Sequence, residues 1–403
     1  MTPSSIPSFV NQAADLDVLV ERLSSEPMLA LDTEFHAERR YRPDLMLVQI
    51  AAPAGRVFTI DPLALDLTPL HPVLHDKTWV AHGAQRDVEL LHAATGARPA
   101  RLLDTQVMAG FADLHYPARL DDLALEVLDV QIDKGATLSD WHRRPLSEEQ
   151  LRYAQADVSL LCPLVEALRA RIANLDAQIS NRHGTAWITH AGKEQVDEAL
   201  SSTDPHRHWR TLEIAPKLNA PTRAALHALY AWREAEARHK NSPPHYILTP
   251  SIALDLARRR PSDLSTMREN RRIPGGLIKR HGETLLQILA EASRADPPPR
   301  IPAIGRRGVR PLLDAWMQQA ARDLAIAPKL LAPAQLSRKI AVGGTEALEG
   351  WRSLAMHGGI QSLLRGEISL SIGEDGIVTT PVDHRSVLHA PQTRATNGPA
   401  AQG

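Results

Sequence analysis

At 403 residues, 43% of them apolar, the chain exceeds what one hydrophobic core organises, so two or three domains are expected. No apolar stretch approaches the roughly 20 residues that span a bilayer, the start MTPSSIPSF lacks a basic flank ahead of an apolar run, and the single cysteine, Cys162, excludes a disulfide framework and a cysteine-rich zinc site. A net charge of −1 hides an asymmetry: residues 1–173 carry 16 Lys+Arg against 25 Asp+Glu, net −9, whereas residues 217–310 carry 18 against 8, net +10.

An acidic part joined to a basic part points to a polyanionic substrate gripped away from the chemistry, although a solvated, arginine-rich helical surface would have the same composition. The absence of a leader or span predicts a cytoplasmic protein without membrane association, and Cys162 is expected as a small buried hydrophobe.

In chain order, the first part reads as mixed α/β. Met28–Leu31, Met46–Ala51, Val57–Ile60 and Thr78–Ala81 are short apolar runs bounded by Pro, Gly, Asp or Asn, the pattern of strands in a buried sheet. Helical patterns follow from about Ala84, Asp104 and Leu120. The clearest helix start is Ser147-Glu148-Glu149-Gln150, where Ser caps the first turn and Gln reciprocates, with Pro145 just upstream. That helix carries Tyr153 and Asp157, and Pro163 should kink it or open the next one.

Residues 173–215 lack sustained periodicity and read as a linker with some local helix. From Leu218 to about Ala292 the pattern is all helical, and another helical stretch runs from about Val309 to Leu370. The first contains Trp232, ILTP at 247–250 and His281-Gly282; the second contains Trp316, LLAP at 330–333 and His357-Gly358, which suggests duplication of one module. From about Glu374 to Gly403 large apolar residues are scarce, and disorder is expected. The expected organisation is an α/β domain over residues 1–172, a linker over 173–215, all-α domains over 216–295 and 303–373, and a tail over 374–403.

The chemistry is carried by four acids: Asp32 and Glu34 in LALDTEF, Asp87 in VAHGAQRDVELL, and Asp157 in YAQADVSLL. On a strand Asp32 and Glu34 share a face and Thr33 takes the other; on a helix Tyr153 and Asp157 share a face. Carboxylates gathered at one point repel by about 4 kcal/mol per pair at roughly 4 Å in a medium of intermediate dielectric. A cation relieves that repulsion, and oxygen ligands select Mg²⁺ or Mn²⁺. Such a cluster holds two ions about 3.5 to 4 Å apart for phosphodiester cleavage. Tyr153 is a poor general base, since a phenol titrates near pH ~10, and is assigned to orienting the attacking water.

LDTEF, HGAQRDVELL and YAQAD resemble the three exonuclease motifs of the DEDD superfamily in its tyrosine subgroup, with Arg152 standing where the sister subgroup has His. Within the subgroup the chain is similar to the ribonuclease D family, which also has segments like RRYRPDLMLVQI, LLDTQ and KGATLSDWHRRPLSEEQLRYAQADV. The resemblance covers residues 27 to about 170, continues over 217–292 as a helicase-and-RNase-D C-terminal (HRDC) domain, and extends more loosely over 309–372. It implies a ribonuclease H-like mixed sheet flanked by helices. It also implies a 3′–5′ exoribonuclease that trims tRNA precursors and releases nucleoside 5′-monophosphates. In that pattern Asp32 bridges two metals, Glu34 and Asp157 complete the water-activating site, and Asp87 serves the second ion. One departure is Gly83, where many superfamily members have Asn after the His of the second motif; His82 then reads as a packing or supporting residue.

Other residues admit two readings. Asp104 is an N-cap or a fifth ligand. Lys134, Trp141, Arg143 and Arg144 contact phosphate and stack on a base, or Trp141 is core and the arginines a solvated edge. Arg258, Arg271 and Lys279, with their basic neighbours, are backbone-binding candidates or ordinary exposed charges. Phe35 and Met46 touch the terminal nucleotide or belong to the core. The expected partner is RNA with no small-molecule cofactor, the chain acting as a monomer. The acids alone leave a DNA exonuclease open, since they do not sense the 2′-OH, and an inactive nucleic-acid-binding scaffold is the rival of another class. If the helical domains only hold RNA, a chain ending near residue 200 should keep hydrolysis of short RNA.

Overall fold

The computed structural model describes residues 7–53, 56–132, 139–201, 218–298, 308–374 and 376–382. Its N-terminal part is built on a six-stranded sheet of order β1-β4-β3-β2-β5-β6. The strands are β1 (Phe9–Val10), β2 (Met28–His36), β3 (Asp44–Ala51), β4 (Val57–Ile60), β5 (Thr78–Ala81) and β6 (Arg101–Asp104). Neighbours β2/β3 and β3/β4 are antiparallel, and β1/β4, β2/β5 and β5/β6 are parallel. The four apolar runs are all strands. The missed ones, β1 and β6, are the two edge strands, β1 only two residues long and β6 running straight into the helix that Asp104 caps.

Both faces are buried, as a sheet with parallel crossovers requires. Leu29 and Leu31 face α1 (Ala13–Leu23), α2 (His71–Leu74) and α3 (Gln85–Thr95), whereas Ala30 between them faces α4 (Thr105–Phe111) and the helices that follow. Those helices are α5 (Leu120–Leu128), α6 (Glu148–Ser159) and α7 (Leu161–Gln178). Pro163 lies in the first turn of α7 and opens it, where its missing N–H leaves no bond unmade.

The expected linker is corrected up to Ser201. α7 continues to Gln178, and α8 (Gly184–Ser201) lies along β6, with Gly192 against the Leu102 backbone. The buried face of α8 is Trp187, Ile188, Ala191, Gly192, Val196 and Ala199. Mostly small residues suffice for close packing, so the stretch lacks the Leu-rich stripe that announces a helix. Residues 202–215 lie outside the described residues.

Two helical modules follow. The first comprises α9 (Ala220–His239), α10 (Pro244–Ile247), α11 (Pro250–Arg259), α12 (Leu264–Glu269) and α13 (Gly275–Ala292). It encloses its own core around Leu226, Tyr230, Leu256, Met267 and Leu285. The second comprises α14 (Val309–Asp323), α15 (Pro328–Leu331), α16 (Leu336–Gly343) and α17 (Gly350–Arg365). Each runs a long helix, a one-turn helix opened by proline, short helices and a closing long helix.

The second module shares its core with the N-terminal domain. Leu313, Met317, Leu331, Trp351 and Ile360 join one apolar cluster with Val107, Phe111, Leu168 and Trp187. The Phe111 and Trp351 rings meet edge to face at 4.7 Å, Ala327 N–H donates to the Gly110 carbonyl at 2.8 Å, and Arg352 pairs with Glu194 at 3.2 Å. A chain ending near residue 200 would therefore leave the Phe111 and Trp187 side of this core without its cover.

The expected tail is corrected over 374–382. After α17, capped by Gly366 in the left-handed region, β7 (Ile368–Gly373) and β8 (Gly376–Pro381) form an antiparallel hairpin. Alternation of Ile368, Leu370 and Ile372 with polar residues is a strand pattern that a helical reading overruns. Residues 383–403 lie outside the described residues. Among the described residues no helix is long and apolar enough to cross a membrane.

Candidate active site

The site forms where β2 outruns its neighbour. β2 pairs with β5 only over Met28–Ala30, while its pairing with β3 continues to His36. The stretch from Leu31 onward thus borders a crevice at the carboxyl end of β5, the position where open α/β sheets place ligands. Alternation along β2 presents Asp32 and Glu34 to the α6 side and Thr33 to the other. α6 is held at its start by a complete capping box between Ser147 and Gln150 and delivers Asp157 to the same face. Carboxylate oxygens of Asp32, Glu34 and Asp157 all lie within 4.8 Å of one another.

Asp87 comes, as its motif suggests, from the helix that follows β5. It sits in the first turn of α3, is 6% exposed, and its carboxylate accepts a short hydrogen bond from the Thr33 hydroxyl on the far face of β2. It stands outside the group of three whose oxygens lie within 4.8 Å of one another. Its charge still reaches that group and is the strongest neighbouring charge on Asp32.

Burial and mutual repulsion make the site hard to ionise. The Asp32 carboxyl is held well above the usual range, first by burial, then by Asp87, Glu34 and Asp157. Glu34 is pushed up to about 8 by burial, then by Asp157 and Asp87. Asp87 is raised to about 7 by burial against the lowering effect of the Thr33 hydrogen bond. Asp157 rises to about 6, again by burial, with a Tyr153 hydrogen bond opposing. Four acids this desolvated carry their charges together only beside cations. The donor set, all carboxylate oxygen, fits hard divalent ions.

Asp104 is a scaffold residue. It is 2% exposed and accepts from the N–H groups of Gly83, Ala84 and Gln106 and from the Gln195 amide, each at 2.8 or 2.9 Å. It caps α4 and ties down the turn that starts α3, so it serves Asp87 and is not a fifth ligand. Gly83 takes φ +68° in that turn, and His82 is held by Thr105 Oγ1 and the Ala118 carbonyl. Gln195 comes from the supposed linker. Sequence reasoning also passed over Gln49, which lies directly opposite Asp32 on β3, is 0% exposed, and has neither side-chain polar atom partnered.

The proposed RNA contacts divide. Lys134 lies outside the described residues. Trp141 is buried with Met46, Leu47, Leu146 and Ala154, which leaves no face for a base. Arg144 is committed to a two-pronged bond with Asp61 and to the Met46 and Trp141 carbonyls, bracing the turn before α6. A part-buried fork already closed on a carboxylate is unavailable to phosphate. Arg143, Arg258, Arg271 and Lys279 are exposed. Met46 is core, whereas Phe35 is exposed beside the acids with the Arg86 guanidinium over its ring.

Residues 7–173 match the family model described as 3′-5′ exonuclease, and residues 222–289 match the HRDC domain. Over 383 residues the chain is 33% identical to ribonuclease D of Granulibacter bethesdensis, covering 91% of this chain and 94% of that one. The chain belongs to the ribonuclease D family. Ribonuclease D of Acidiphilium cryptum is 32% identical over 385 residues, covering 91% and 95%. The crystal structure of Escherichia coli RNase D, described as an exoribonuclease involved in structured RNA processing, superposes with a TM-score of 0.78 at 25% identity, covering 89% of this chain and 98% of that one. Family membership makes the protein a 3′–5′ exoribonuclease of a family that implies divalent metals, and the cluster of Asp32, Glu34 and Asp157 is a group that could hold such an ion.

Proposed function

We propose that this exoribonuclease trims the 3′ ends of tRNA precursors one nucleotide at a time, releasing nucleoside 5′-monophosphates. The observation that carries the reading is the convergence of Asp32, Glu34 and Asp157 within 4.8 Å, with Asp87 approaching through Thr33. Asp32, Glu34, Asp87 and Asp157 would hold two divalent ions, Mg²⁺ or Mn²⁺. Bound there, such ions supply a hydroxide near neutral pH and neutralise charge on the leaving oxygen.

The chain's own residues do the rest. Tyr153, one turn from Asp157, donates to that carboxylate in the resting site and can turn its hydroxyl to an attacking water. Phe35 offers an exposed ring to the terminal base at the mouth of the crevice. Arg143 and the exposed cations of the first helical module, which lies in the segment of net charge +10, hold the backbone of the RNA. Phosphate contacts carry little base information, so shape and a free 3′ end select the substrate. The protein acts as a monomer.

Purified protein, Asp32→Ala and Asp157→Ala are incubated with a 3′-extended tRNA and Mg²⁺, beside matched RNA and DNA oligonucleotides. Trimming by the unaltered chain alone, with RNA preferred, is expected. Equal product from all three proteins would place the cutting elsewhere, and preference for DNA would replace the substrate class.

A further inference from the structure

We infer that Tyr41 is a positioning residue that latches the first helical module to the catalytic strand, and so sets how structured RNA presents its 3′ end to the carboxylates. The inference rests on the reading of tRNA precursors as substrate.

Tyr41 lies in the connection between β2 and β3, seven residues after Glu34. That loop is pre-shaped: Arg39 takes a left-handed φ of +58°, and Arg40 Nε pairs with Asp44, the first residue of β3, at 2.8 Å. Its tip meets the end of α9, where Glu234 and Arg238 share a face at i, i+4 spacing and Asn241 follows just past the helix C-cap in the left-handed region. The Tyr41 hydroxyl donates to Glu234 Oε1 at 2.5 Å and accepts from Arg238 Nη2 at 3.2 Å, and the Arg238 guanidinium sits 5.6 Å from the Tyr41 ring centre. Beside it the Arg42 N–H donates to Asn241 Oδ1 at 3.0 Å.

Glu234 is only 5% exposed, so its bond from the phenol is a charge-assisted one in a dry environment. Arg238 lies within the same small group, which makes the contact a fixed geometry and not a sliding surface. Because α9 also carries Leu226, Leu229 and Tyr230 into the module's own core, holding α9 holds all of the module's phosphate-binding cations at one distance from β2. A short single strand reaches the acids without the module. A folded RNA spans both, and feels any change in their relative placement.

The test compares Tyr41→Phe and Glu234→Gln with the unaltered chain, measuring kcat and KM on a 3′-extended tRNA, on a stem-loop with a 3′ overhang, and on a short single-stranded oligonucleotide. KM for the two folded RNAs should rise about tenfold, the worth of one charge-assisted hydrogen bond, with kcat/KM for the oligonucleotide within about twofold. Parallel losses on all three RNAs would overturn the latch and make Tyr41 a support of the strand. If the unaltered chain degrades the stem-loop but not the tRNA, the tRNA reading fails while the split on the stem-loop still judges the latch. A second arm joins Arg42→Cys to Asn241→Cys with a short bis-maleimide, against a background whose single native thiol, Cys162, is buried. Tethered protein should trim folded RNA as well as untethered protein; loss of that activity with the oligonucleotide still cleaved would show that the module must leave the loop, and would overturn the proposal.

Discussion

The Thr33 hydroxyl donates to the Asp87 carboxylate across 54 positions of sequence, joining the strand that carries two of the acids to the helix that carries a third. Because Thr33 points away from Asp32, this bond brings Asp87 up to the site from behind. It also favours the ionised form of Asp87 against the burial that raises it.

Thr33→Val keeps the shape of the side chain and deletes the donor. Asp87, now at about 7, should titrate higher, so a smaller fraction is charged at neutral pH. Activity at pH 7 is expected to fall about tenfold, as loss of one hydrogen bond to a charged group warrants, with the acidic limb of the pH–rate profile displaced upward. A profile that keeps its midpoint would count against this role for Thr33.

The raised carboxylates also link stability to pH. Glu34, Asp87 and Asp157 have folded values of about 8, 7 and 6 against ordinary values of 4.5, 3.8 and 3.8, so the folded chain binds more protons than the unfolded one. Their contribution is complete below the ordinary values and is lost as pH rises through 6 to 8. In EDTA the melting temperature should fall from pH 5 to pH 8, and saturating Mg²⁺ or Mn²⁺ should restore more stability at pH 8 than at pH 6. Scanning calorimetry with and without metal measures both slopes; a metal effect independent of pH would contradict the account.

Gln49 is a buried amide left unsatisfied opposite Asp32. Replacing it by methionine removes two desolvated polar atoms at nearly constant volume. Gln49→Met should leave the metal-free protein equally stable or more stable by about 1 kcal/mol, while raising the metal concentration needed for half-maximal activity. Loss of metal-free stability by more than about 1 kcal/mol in urea unfolding would mean that the amide serves the fold alone.

Ending the chain after Ser201 removes Trp351, Leu313, Met317 and Leu331 from the cluster that also holds Phe111 and Trp187. Each lost large side chain uncovers surface worth about 2 kcal/mol, against a typical total of about 5–15 kcal/mol. The shortened chain is expected to aggregate or bind a hydrophobic dye, with no cleavage of even short RNA. Removing only residues beyond Gly366 should leave activity intact, since the hairpin is largely exposed.

The four acids were legible because their local settings are local facts. LALDTEF is an apolar strand with two acids at strand spacing, and Ser147 to Gln150 caps the helix under Asp157 by a bond between neighbours. The roles of Trp141 and Arg144 were not legible, since a ring and a guanidinium look the same in sequence whether they face RNA or meet Met46 and Asp61. The fate of the second helical module was equally hidden. Its amphipathic faces match those of the first, and only the tertiary structure shows which apolar surface lies opposite. The sequence by itself determined four of the strands, the capped helix under Asp157 and the acidic, polyanion-directed character of the site, all of which depend on neighbouring residues. The tertiary structure decided that Asp87 comes through Thr33, that Asp104 is a scaffold, and that the second module is part of the catalytic core, because each is a contact between segments that chain periodicity does not record.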